Sequence, residues 1–256
     1  MVKTTFKRYE AKYKIKQIKQ KAFLAAISEY IEPAKFRKYM VQNLYYDTED
    51  WEVIRQSIEK PLYKEKMRLR YYGNKPYNKR TGEDTSLFLE MKKKYMGEVY
   101  KRRIEIPVEK LYGKDIRDVV ADEPSQISQE LAFYLQTNPV SEKLYISYQR
   151  EAYTGVKEKD LRITFDTEVQ YRLEELSFQS TLKGRSPLSP ETVILEIKTQ
   201  EGIPLWLTNA LSEYKIFPVT FSKCGICYLV EQVQGSLISY TNYAEGVFRC
   251  EAGDLL

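Results

Sequence analysis

Histidine is absent from this 256-residue sequence. Its absence removes the usual general base near neutral pH, the Ser-His and Cys-His nucleophile systems, and the commonest protein ligand of transition metals. Any chemistry that this protein performs must therefore use carboxylates, lysine, arginine, tyrosine and metal ions bound through oxygen.

Cysteine is scarce, with only Cys224, Cys227 and Cys250 in the whole chain. One CxxC segment without a second one, and without histidine, cannot complete a zinc site. A redox role for Cys224 and Cys227 is an alternative, but no strand-helix-strand pattern surrounds them. We predict buried, reduced thiols.

Long apolar runs are also absent from the sequence. No segment approaches the roughly 20 residues needed to cross a bilayer, and the first ten residues lack the apolar stretch of a secretory signal. We therefore expect a cytoplasmic protein without direct membrane insertion. Hydrophobic residues make up 43% of the sequence, which is enough for one large core, so we expect a single domain over residues 1–256.

The sequence does contain many segments in which charged and apolar residues alternate. In residues 8–15, the charged residues Arg8, Glu10, Lys12 and Lys14 face one way and apolar or aromatic residues face the other. The same period, broken only by Arg102, predicts strands at 66–71, 89–92, 100–106, 161–166 and 195–198, with further strands at 37–47 and 143–153. Amphipathic helices are predicted at 18–31, 125–136, 204–214 and 222–232, and polar loops at 73–85 and 179–192.

The charged faces of these strands are dominated by long cations. A single charged face usually meets water, but several strands that share this pattern favour another arrangement. Closing about eight of them into an antiparallel barrel would turn the charges inward and leave the apolar outer wall for the helices. We therefore predict an α+β fold with a closed β-barrel that forms a polar tunnel and has helices packed on its outside. Such a tunnel needs a polyanion, and mixed Arg and Lys suit a flexible chain of phosphates.

Carboxylates on the same strand faces are candidate ligands for Mg²⁺ or Mn²⁺, which typically bind one or two carboxylates together with substrate phosphates. The candidates are Glu10, Glu90, Asp166 and Glu196. Glu196 is the strongest, because it is the lone carboxylate on the inward side of an apolar strand. A structural salt bridge to Arg or Lys is the alternative for this residue.

Several short segments occur in a specific order over almost the whole sequence. They are Arg8-Tyr9-Glu10-Ala11-Lys12-Tyr13, Asn43-Leu44-Tyr45-Tyr46-Asp47-Thr48, Arg68-Leu69-Arg70-Tyr71-Tyr72-Gly73, Leu89-Glu90-Met91-Lys92, Leu161-Arg162-Ile163-Thr164-Phe165-Asp166-Thr167, Leu195-Glu196-Ile197-Lys198 and Phe221-Ser222-Lys223. Together they resemble the VTC-type polyphosphate polymerase domain, a member of the CYTH-like triphosphate tunnel metalloenzymes.

The resemblance implies transfer of the terminal phosphoryl group of ATP to a growing polyphosphate chain, with Mn²⁺ or Mg²⁺ as cofactor. It assigns catalytic phosphate contacts to Lys12, Arg68, Arg70, Lys92, Arg150, Arg162 and Lys223, further substrate contacts to Arg103 and Ser222, and metal binding to Glu196. Lys14, Lys101 and Lys198 are added as substrate contacts, and Glu10 and Glu90 as metal ligands. The expected ligands are ATP and inorganic polyphosphate or triphosphate, with no nucleic acid, and the sequence does not identify a protein partner.

One position bears on the choice between phosphoryl transfer and hydrolysis. Hydrolytic members of the superfamily typically carry E-x-E-x-K, whereas the matching residues here are Glu10-Ala11-Lys12-Tyr13-Lys14. Replacing a metal-binding carboxylate by Lys12 favours transfer to phosphate over transfer to water. A triphosphatase or polyphosphatase, and a non-catalytic polyphosphate-binding module, are the alternatives. The SPX domain and transmembrane helices of larger family members have no expected counterpart in this sequence.

Overall fold

A computed structural model describes residues 9–59, 61–73, 86–96, 98–111, 114–180, 183–200 and 202–235. Within these ranges the chain forms an α+β fold. The strands are β1 (Tyr9–Lys16), β2 (Ile31–Asp47), β3 (Tyr63–Tyr72), β4 (Ser86–Tyr95), β5 (Glu98–Pro107), β6 (Ser141–Gly155), β7 (Arg162–Arg172) and β8 (Thr192–Thr199). The helices are α1 (Gln17–Ala26), α2 (Glu52–Ile58), α3 (Ile116–Ala121), α4 (Gln126–Thr137), α5 (Leu205–Glu213) and α6 (Lys223–Gly235), with a 3₁₀ turn at Val108–Leu111.

All the strands belong to one antiparallel sheet in the order β1-β8-β7-β6-β2-β3-β4-β5. Within the described residues its edge strands, β1 and β5, do not pair with each other, so the predicted closed barrel is not confirmed. The sheet is strongly curled, as a contact between β1 and β4 shows. Lys92 Nζ on β4 lies 3.6 Å from Glu10 Oε2 on β1. In a flat sheet the spacing of about 4.8 Å per strand would place these strands roughly 29 Å apart.

The outer face of the curled sheet is apolar and is covered by helices. Met67 and other residues of β3, β4 and β5 pack against α3 and α4, which contribute Leu131. Leu195 and other residues of β1, β7 and β8 pack against α1 and α5, which contribute Phe23. The apolar sides predicted for these strands therefore face the helices, and their charged sides lie on the inner face.

The inner face is not polar throughout. In a third apolar cluster, Ile146 of β6 and Ile194 of β8 pack against the region of α6. Phe221, just before this helix, and Cys227 and Val230 within it belong to the same cluster. The prediction that the helices pack on the outside is therefore wrong for α6, which lies on the inner side of the sheet. The free thiols of Cys224 and Cys227 are buried there, as predicted for these two, and Cys250 lies outside the described residues.

Several element boundaries differ from the sequence prediction. The helix predicted at 18–31 ends at Ala26, and β2 begins at Ile31 instead of residue 37. Pro33 is tolerated in β2 because the pairing with β6 shifts directly after it. The short helices α2 and α3 were not predicted. The loop predicted at 73–85 lies outside the described residues except for Gly73. The described part of the loop predicted at 179–192 contains a bridge between Arg185 and Tyr171 of β7, and its last residue, Thr192, begins β8.

Asp47, in the segment Asn43-Leu44-Tyr45-Tyr46-Asp47-Thr48, has a structural role. Its buried carboxylate accepts hydrogen bonds from the backbone N–H groups of Thr48, Val53 and Ile54 at 2.8–2.9 Å. The N–H groups of Val53 and Ile54 lie in the first turn of α2 and have no acceptor within the helix, so Asp47 fixes this helix against the end of β2. No helix in the described part of the chain combines the length and apolar character needed to cross a membrane.

Candidate active site

Charged side chains of the inner face form two clusters. The Glu90 cluster consists of Arg68, Arg70, Glu90, Lys101 and Arg103 on β3, β4 and β5. The Asp166/Glu196 cluster consists of Lys12, Arg150, Asp166, Glu196, Lys198 and Lys223 on β1, β6, β7, β8 and α6. Most of the cations predicted from sequence therefore come together on one face.

Cross-strand register builds the Glu90 cluster. Arg68, Glu90 and Arg103 lie directly opposite one another on adjacent strands. Arg68 donates from Nε and Nη2 to Glu90 Oε2 at 2.9 and 2.7 Å, and Lys101 Nζ lies 2.6 Å from Oε1. Arg103 and Arg70 lie 3.6 and 3.7 Å from the same carboxylate.

The Glu90 carboxylate is only 2% exposed. Burial by itself would raise its pKa, but Arg68, Arg70 and Lys101 together hold the pKa well below its usual range. Glu90 is therefore ionised at neutral pH, and its single negative charge cannot offset four cations. The cluster keeps an excess of positive charge that favours a bound anion.

Arg70 is oriented by a neighbour on β2. Its Nε donates to the buried Asn43 Oδ1 at 2.9 Å, and Asn43 Nδ2 donates to the Ile146 carbonyl at 3.1 Å. Asn43 belongs to the same sequence signature as Asp47. Its role is therefore to hold an arginine of the site.

The Asp166/Glu196 cluster is centred on Arg150. This guanidinium donates to both Asp166 oxygens, at 2.6 and 2.7 Å, and its Nη2 also lies 3.4 Å from Glu196 Oε2. Lys223 Nζ approaches Asp166 to 2.6 Å, and Lys198 Nζ approaches Glu196 to 3.2 Å. Helix α6 thus contributes directly to a cluster that is otherwise built on strands.

Both carboxylates of this cluster are buried and ionised. Burial opposes ionisation of Glu196, but Lys198, Lys12 and Arg150 hold its pKa well below the usual range. Burial likewise opposes ionisation of Asp166, and Arg150 and Lys223 lower its pKa. The cluster therefore presents negative charge at neutral pH beside several cations.

Glu10 connects β1 with β4 across the curled sheet. Lys12 Nζ and Lys92 Nζ lie 3.5 and 3.6 Å from its carboxylate. Crowding by protein atoms lowers the pKa of Lys92 to about 8; Glu10 opposes this shift, and Lys12 and Lys198 add to it. Lys92 can therefore lose its charge just above neutral pH.

The start of α6 completes the inner face. The segment before it is attached to β1, since Val219 N–H donates to the Lys12 carbonyl at 2.7 Å and Lys12 Nζ donates to the Phe221 carbonyl at 3.1 Å. Lys66 Nζ then contacts Ser222 Oγ at 3.3 Å and Cys224 Sγ at 3.1 Å. Ser222 thus lies at a helix N-terminus beside a lysine.

Two further predicted cations, Arg162 and Lys14, are exposed. Arg162 is exposed at the rim of the inner face, where its Nη2 donates to Tyr39 Oη at 3.3 Å. Lys14 is also exposed on β1. Their assigned roles remain predictions.

Arg102 and Arg103 lie on opposite faces of β5. Arg103 faces Glu90, whereas Arg102 lies on the outer face and donates from Nε to Glu130 of α4 at 2.8 Å. The interruption of the alternation at Arg102 thus reflects an ion pair with a helix.

Lys66, Cys224, Tyr45 and Tyr148 also line the site, although they were not predicted from their sequence context. Tyr45 accepts a hydrogen bond from Arg68 Nη1 at 3.1 Å, and the Tyr148 ring lies 4.4 Å from Lys223 Nζ. The side-chain period of two in a strand places Tyr148 on the same face as Arg150, so its place in the site could have been predicted from the sequence. Cys224 had no comparable signal, because its place depends on the packing of α6.

The carboxylates do not form a preassembled metal centre. Among the described residues, no group of three or more His, Cys, Asp or Glu side chains could hold an ion. Glu10, Glu90 and Glu196 are instead separated by cations. A divalent ion at Glu196 would need phosphate oxygens as further ligands, which is the usual arrangement for Mg²⁺ in phosphoryl-transfer sites.

A family model described as VTC domain matches residues 7–231, so the chain belongs to the VTC domain family. This confirms the resemblance found in the sequence, and it supports a phosphoryl-transfer or polyphosphate-related function. Comparison with curated proteins gives no match.

Solved structures resemble the chain at low identity. The PH1819 protein from Pyrococcus horikoshii OT3 is 18% identical with a TM-score of 0.44, and the match covers 86% of this chain and 98% of that one. A candidate adenylate cyclase from Vibrio parahaemolyticus is 14% identical with a TM-score of 0.47, and the match covers 88% of this chain and 99% of that one.

Proposed function

We propose that this protein is a polyphosphate polymerase that transfers the terminal phosphoryl group of ATP to an inorganic polyphosphate chain lying along the inner face of the sheet. In this proposal the curled sheet encloses the phosphate chain as a tunnel. The supporting observation is the excess of cations around buried Glu90, where Arg68, Arg70, Lys101 and Arg103 share one carboxylate. A polyanion would neutralise this excess.

The mixture of cations suits a linear phosphate chain. Arginine forks can bind phosphate oxygens bidentately, whereas lysines supply compact charges that adapt to different positions along a chain. Arg68 and Arg70 provide forks on one side of the inner face, and Lys12, Lys198 and Lys223 provide point charges on the other. A chain that spans both clusters would replace contacts that these cations now make with carboxylates.

The proposed reaction does not need histidine. A polyphosphate terminus is already an anionic nucleophile, so no proton has to be abstracted before it attacks the terminal phosphorus of ATP. The new P–O bond forms as the bond to the leaving ADP breaks, and the protein contributes positioning and charge neutralisation. The cations of both clusters can perform these tasks.

Glu196 is the carboxylate that we assign to Mn²⁺ or Mg²⁺. It is buried, ionised and placed on the inner face, and phosphate oxygens would supply the other ligands. An ion bound there would neutralise phosphate oxygens during transfer. Glu10 and Glu90 remain predicted ligands, and Glu90 has the less favourable position because four cations already surround it.

Lys12 favours transfer over hydrolysis. It is the register partner of Glu196, and its Nζ lies 3.8 Å from that carboxylate. A cation therefore occupies the position where hydrolytic relatives typically carry a second carboxylate, which would help to hold a metal and activate water. Triphosphatase activity is the second candidate function.

Incubation of the purified protein with ATP and Mn²⁺ tests the proposal. Long polyphosphate and ADP are the expected products. Free phosphate from tripolyphosphate, without polymer, would instead identify a hydrolase. Binding of tripolyphosphate without any turnover would identify a polyphosphate-binding module.

A further inference from the structure

Three aromatic rings form a continuous group at the Arg162 end of the inner face. We call this group, Tyr39, Tyr72 and Phe88 on β2, β3 and β4, the aromatic platform. The Tyr39 and Tyr72 rings lie 5.8 Å apart, and the Tyr72 and Phe88 rings 5.7 Å apart, both in T-shaped geometry. Tyr72 shares its face of β3 with Arg70, so the platform belongs to the inner face.

The platform adjoins the Glu90 cluster directly. Arg70 Nη1 donates to Tyr72 Oη at 3.2 Å. The Arg103 guanidinium lies 3.6 Å from the centre of the Phe88 ring, and the same side chain is 3.6 Å from Glu90. A ligand whose phosphates lie among these arginines would therefore have aromatic rings beside its next chemical group.

These rings differ from the aromatic pairs of the core. Tyr153 and Phe165 form a similar T-shaped pair at 6.1 Å, but they are 5% and 1% exposed. Tyr72 is 37% exposed, and Tyr39 and Phe88 are only partly buried. An aromatic surface next to a cation cluster combines the two features that bind a nucleotide: a charged groove for phosphates and rings on which a base can stack.

We propose that the aromatic platform binds the base of a nucleoside triphosphate whose phosphates lie in the Glu90 cluster. This inference rests on the proposed function and adds a base subsite to it. Arg70 and Arg103 link the two parts, since each contacts both a ring of the platform and the Glu90 carboxylate. Stacking accepts any base, because every base has an aromatic face. The site should therefore bind ATP and GTP with similar affinity.

Substitution of Tyr72 separates base binding from phosphate binding. Calorimetry would measure the affinities of a non-hydrolysable ATP analogue and of tripolyphosphate for the wild type and for Tyr72→Ala. We expect Tyr72→Ala to weaken the ATP analogue roughly tenfold and to leave tripolyphosphate affinity unchanged. Tyr72→Phe, which keeps the ring but loses the hydroxyl that Arg70 contacts, should keep the wild-type affinity for the ATP analogue. Tyr95→Ala is the matched control. Tyr95 is exposed and lies at the opposite end of β4 from Phe88, the register partner of Arg70.

The outcomes distinguish the two proposals. An equal loss of affinity for both ligands in Tyr72→Ala would mean that the ring only supports Arg70, and it would overturn the base subsite alone. Unchanged affinity for both ligands would overturn it as well. A wild-type protein that binds neither ligand would overturn the proposed function together with the subsite.

Discussion

The Glu90 cluster and the Asp166/Glu196 cluster lie on the same face of one sheet, but their charges are balanced differently. In the first, one carboxylate faces four cations on adjacent strands. In the second, two carboxylates share Arg150 and three lysines, and one lysine comes from α6. The larger excess of positive charge therefore lies around Glu90, and the larger supply of ionised oxygen ligands lies around Glu196.

We therefore expect the two clusters to have different roles in the site. The Glu90 cluster is suited to holding phosphates, so its substitutions should mainly change affinity. The Asp166/Glu196 cluster is suited to positioning a metal ion and the reacting phosphoryl group, so its substitutions should mainly change the turnover number. The following predictions test that difference in roles, from the largest expected effect to the smallest.

Glu196→Gln should reduce turnover by roughly 100-fold or more, since even indirect metal partners typically contribute about 10- to 100-fold. The variant removes a negative charge and a proposed metal ligand while keeping the side-chain volume. Circular dichroism should show an intact fold. Glu151→Gln on β6, whose carboxylate pairs with Arg37 and Lys38 and accepts a hydrogen bond from Tyr153 outside both clusters, is the matched control. Wild-type activity in Glu196→Gln would refute the metal assignment.

Lys12→Glu should convert part of the transfer activity into hydrolysis. The change places a second carboxylate next to Glu196, where it could help a metal ion to activate water. We expect polyphosphate synthesis to fall at least about tenfold and phosphate release from tripolyphosphate to rise. Product analysis by gel electrophoresis and a phosphate assay measures both. Lys16→Glu, the same charge change at an exposed position of β1, should have neither effect; loss of synthesis without any gain of hydrolysis would contradict the role given to Lys12.

Arg68→Ala should weaken tripolyphosphate binding about tenfold, since hydrogen bonds to charged groups typically contribute about 1.5–3 kcal/mol. Affinity should also become less sensitive to salt, because one cation fewer meets the polyanion. Arg102→Ala removes an arginine from the opposite face and should change neither quantity. Equal effects of Arg68→Ala and Arg102→Ala would show that the inner face does not bind the phosphates.

Raising the pH should weaken tripolyphosphate binding a few-fold through Lys92. Its pKa of about 8 means that the charge is lost above that pH, whereas an unperturbed lysine keeps its charge to about pH 10. Calorimetry below and above pH 8 measures the effect, and Lys92→Arg should suppress it. An equally large decrease in Lys92→Arg would assign the titration to another group.

The same lowered pKa has the opposite consequence for stability. Below about pH 8 Lys92 is charged in both states, and the folded protein carries a cost for that charge that solvent reduces, because the side chain is 47% exposed. As the pH rises from about 8 to about 10, the folded state releases the proton first and the cost is relieved. In thermal unfolding experiments over this pH range, the contribution of Lys92 to the free energy of unfolding should therefore increase, while tripolyphosphate binding weakens.

The sequence predicted the strands of the site well. Alternation alone placed Arg68, Glu90 and Glu196 on the charged sides of their strands, because a side-chain period of two fixes the face once a strand exists. Element ends were less well predicted: α1 ends at Ala26 and β2 begins at Ile31. The pairing of β2 with β6 extends that strand, and no local pattern contains information about pairing.

Helix α6 was the least predictable part of the site. Its amphipathic pattern shows that it must bury one face, but not which side of the sheet receives it. Only the folded chain shows that Phe221 and Val230 pack against the inner face. That packing brings Lys223 to Asp166 and Lys66 to Cys224, contacts between segments far apart in sequence.

The sequence by itself determined which side chains could share a face, since the direction of each side chain follows from the local backbone period. It also determined that this face would be rich in cations. The tertiary structure alone decided which cations surround which carboxylate, how far the sheet curls, and that α6 occupies part of the inner side. These features depend on strand order and on packing between distant segments, and distance and burial set the energies of charged groups.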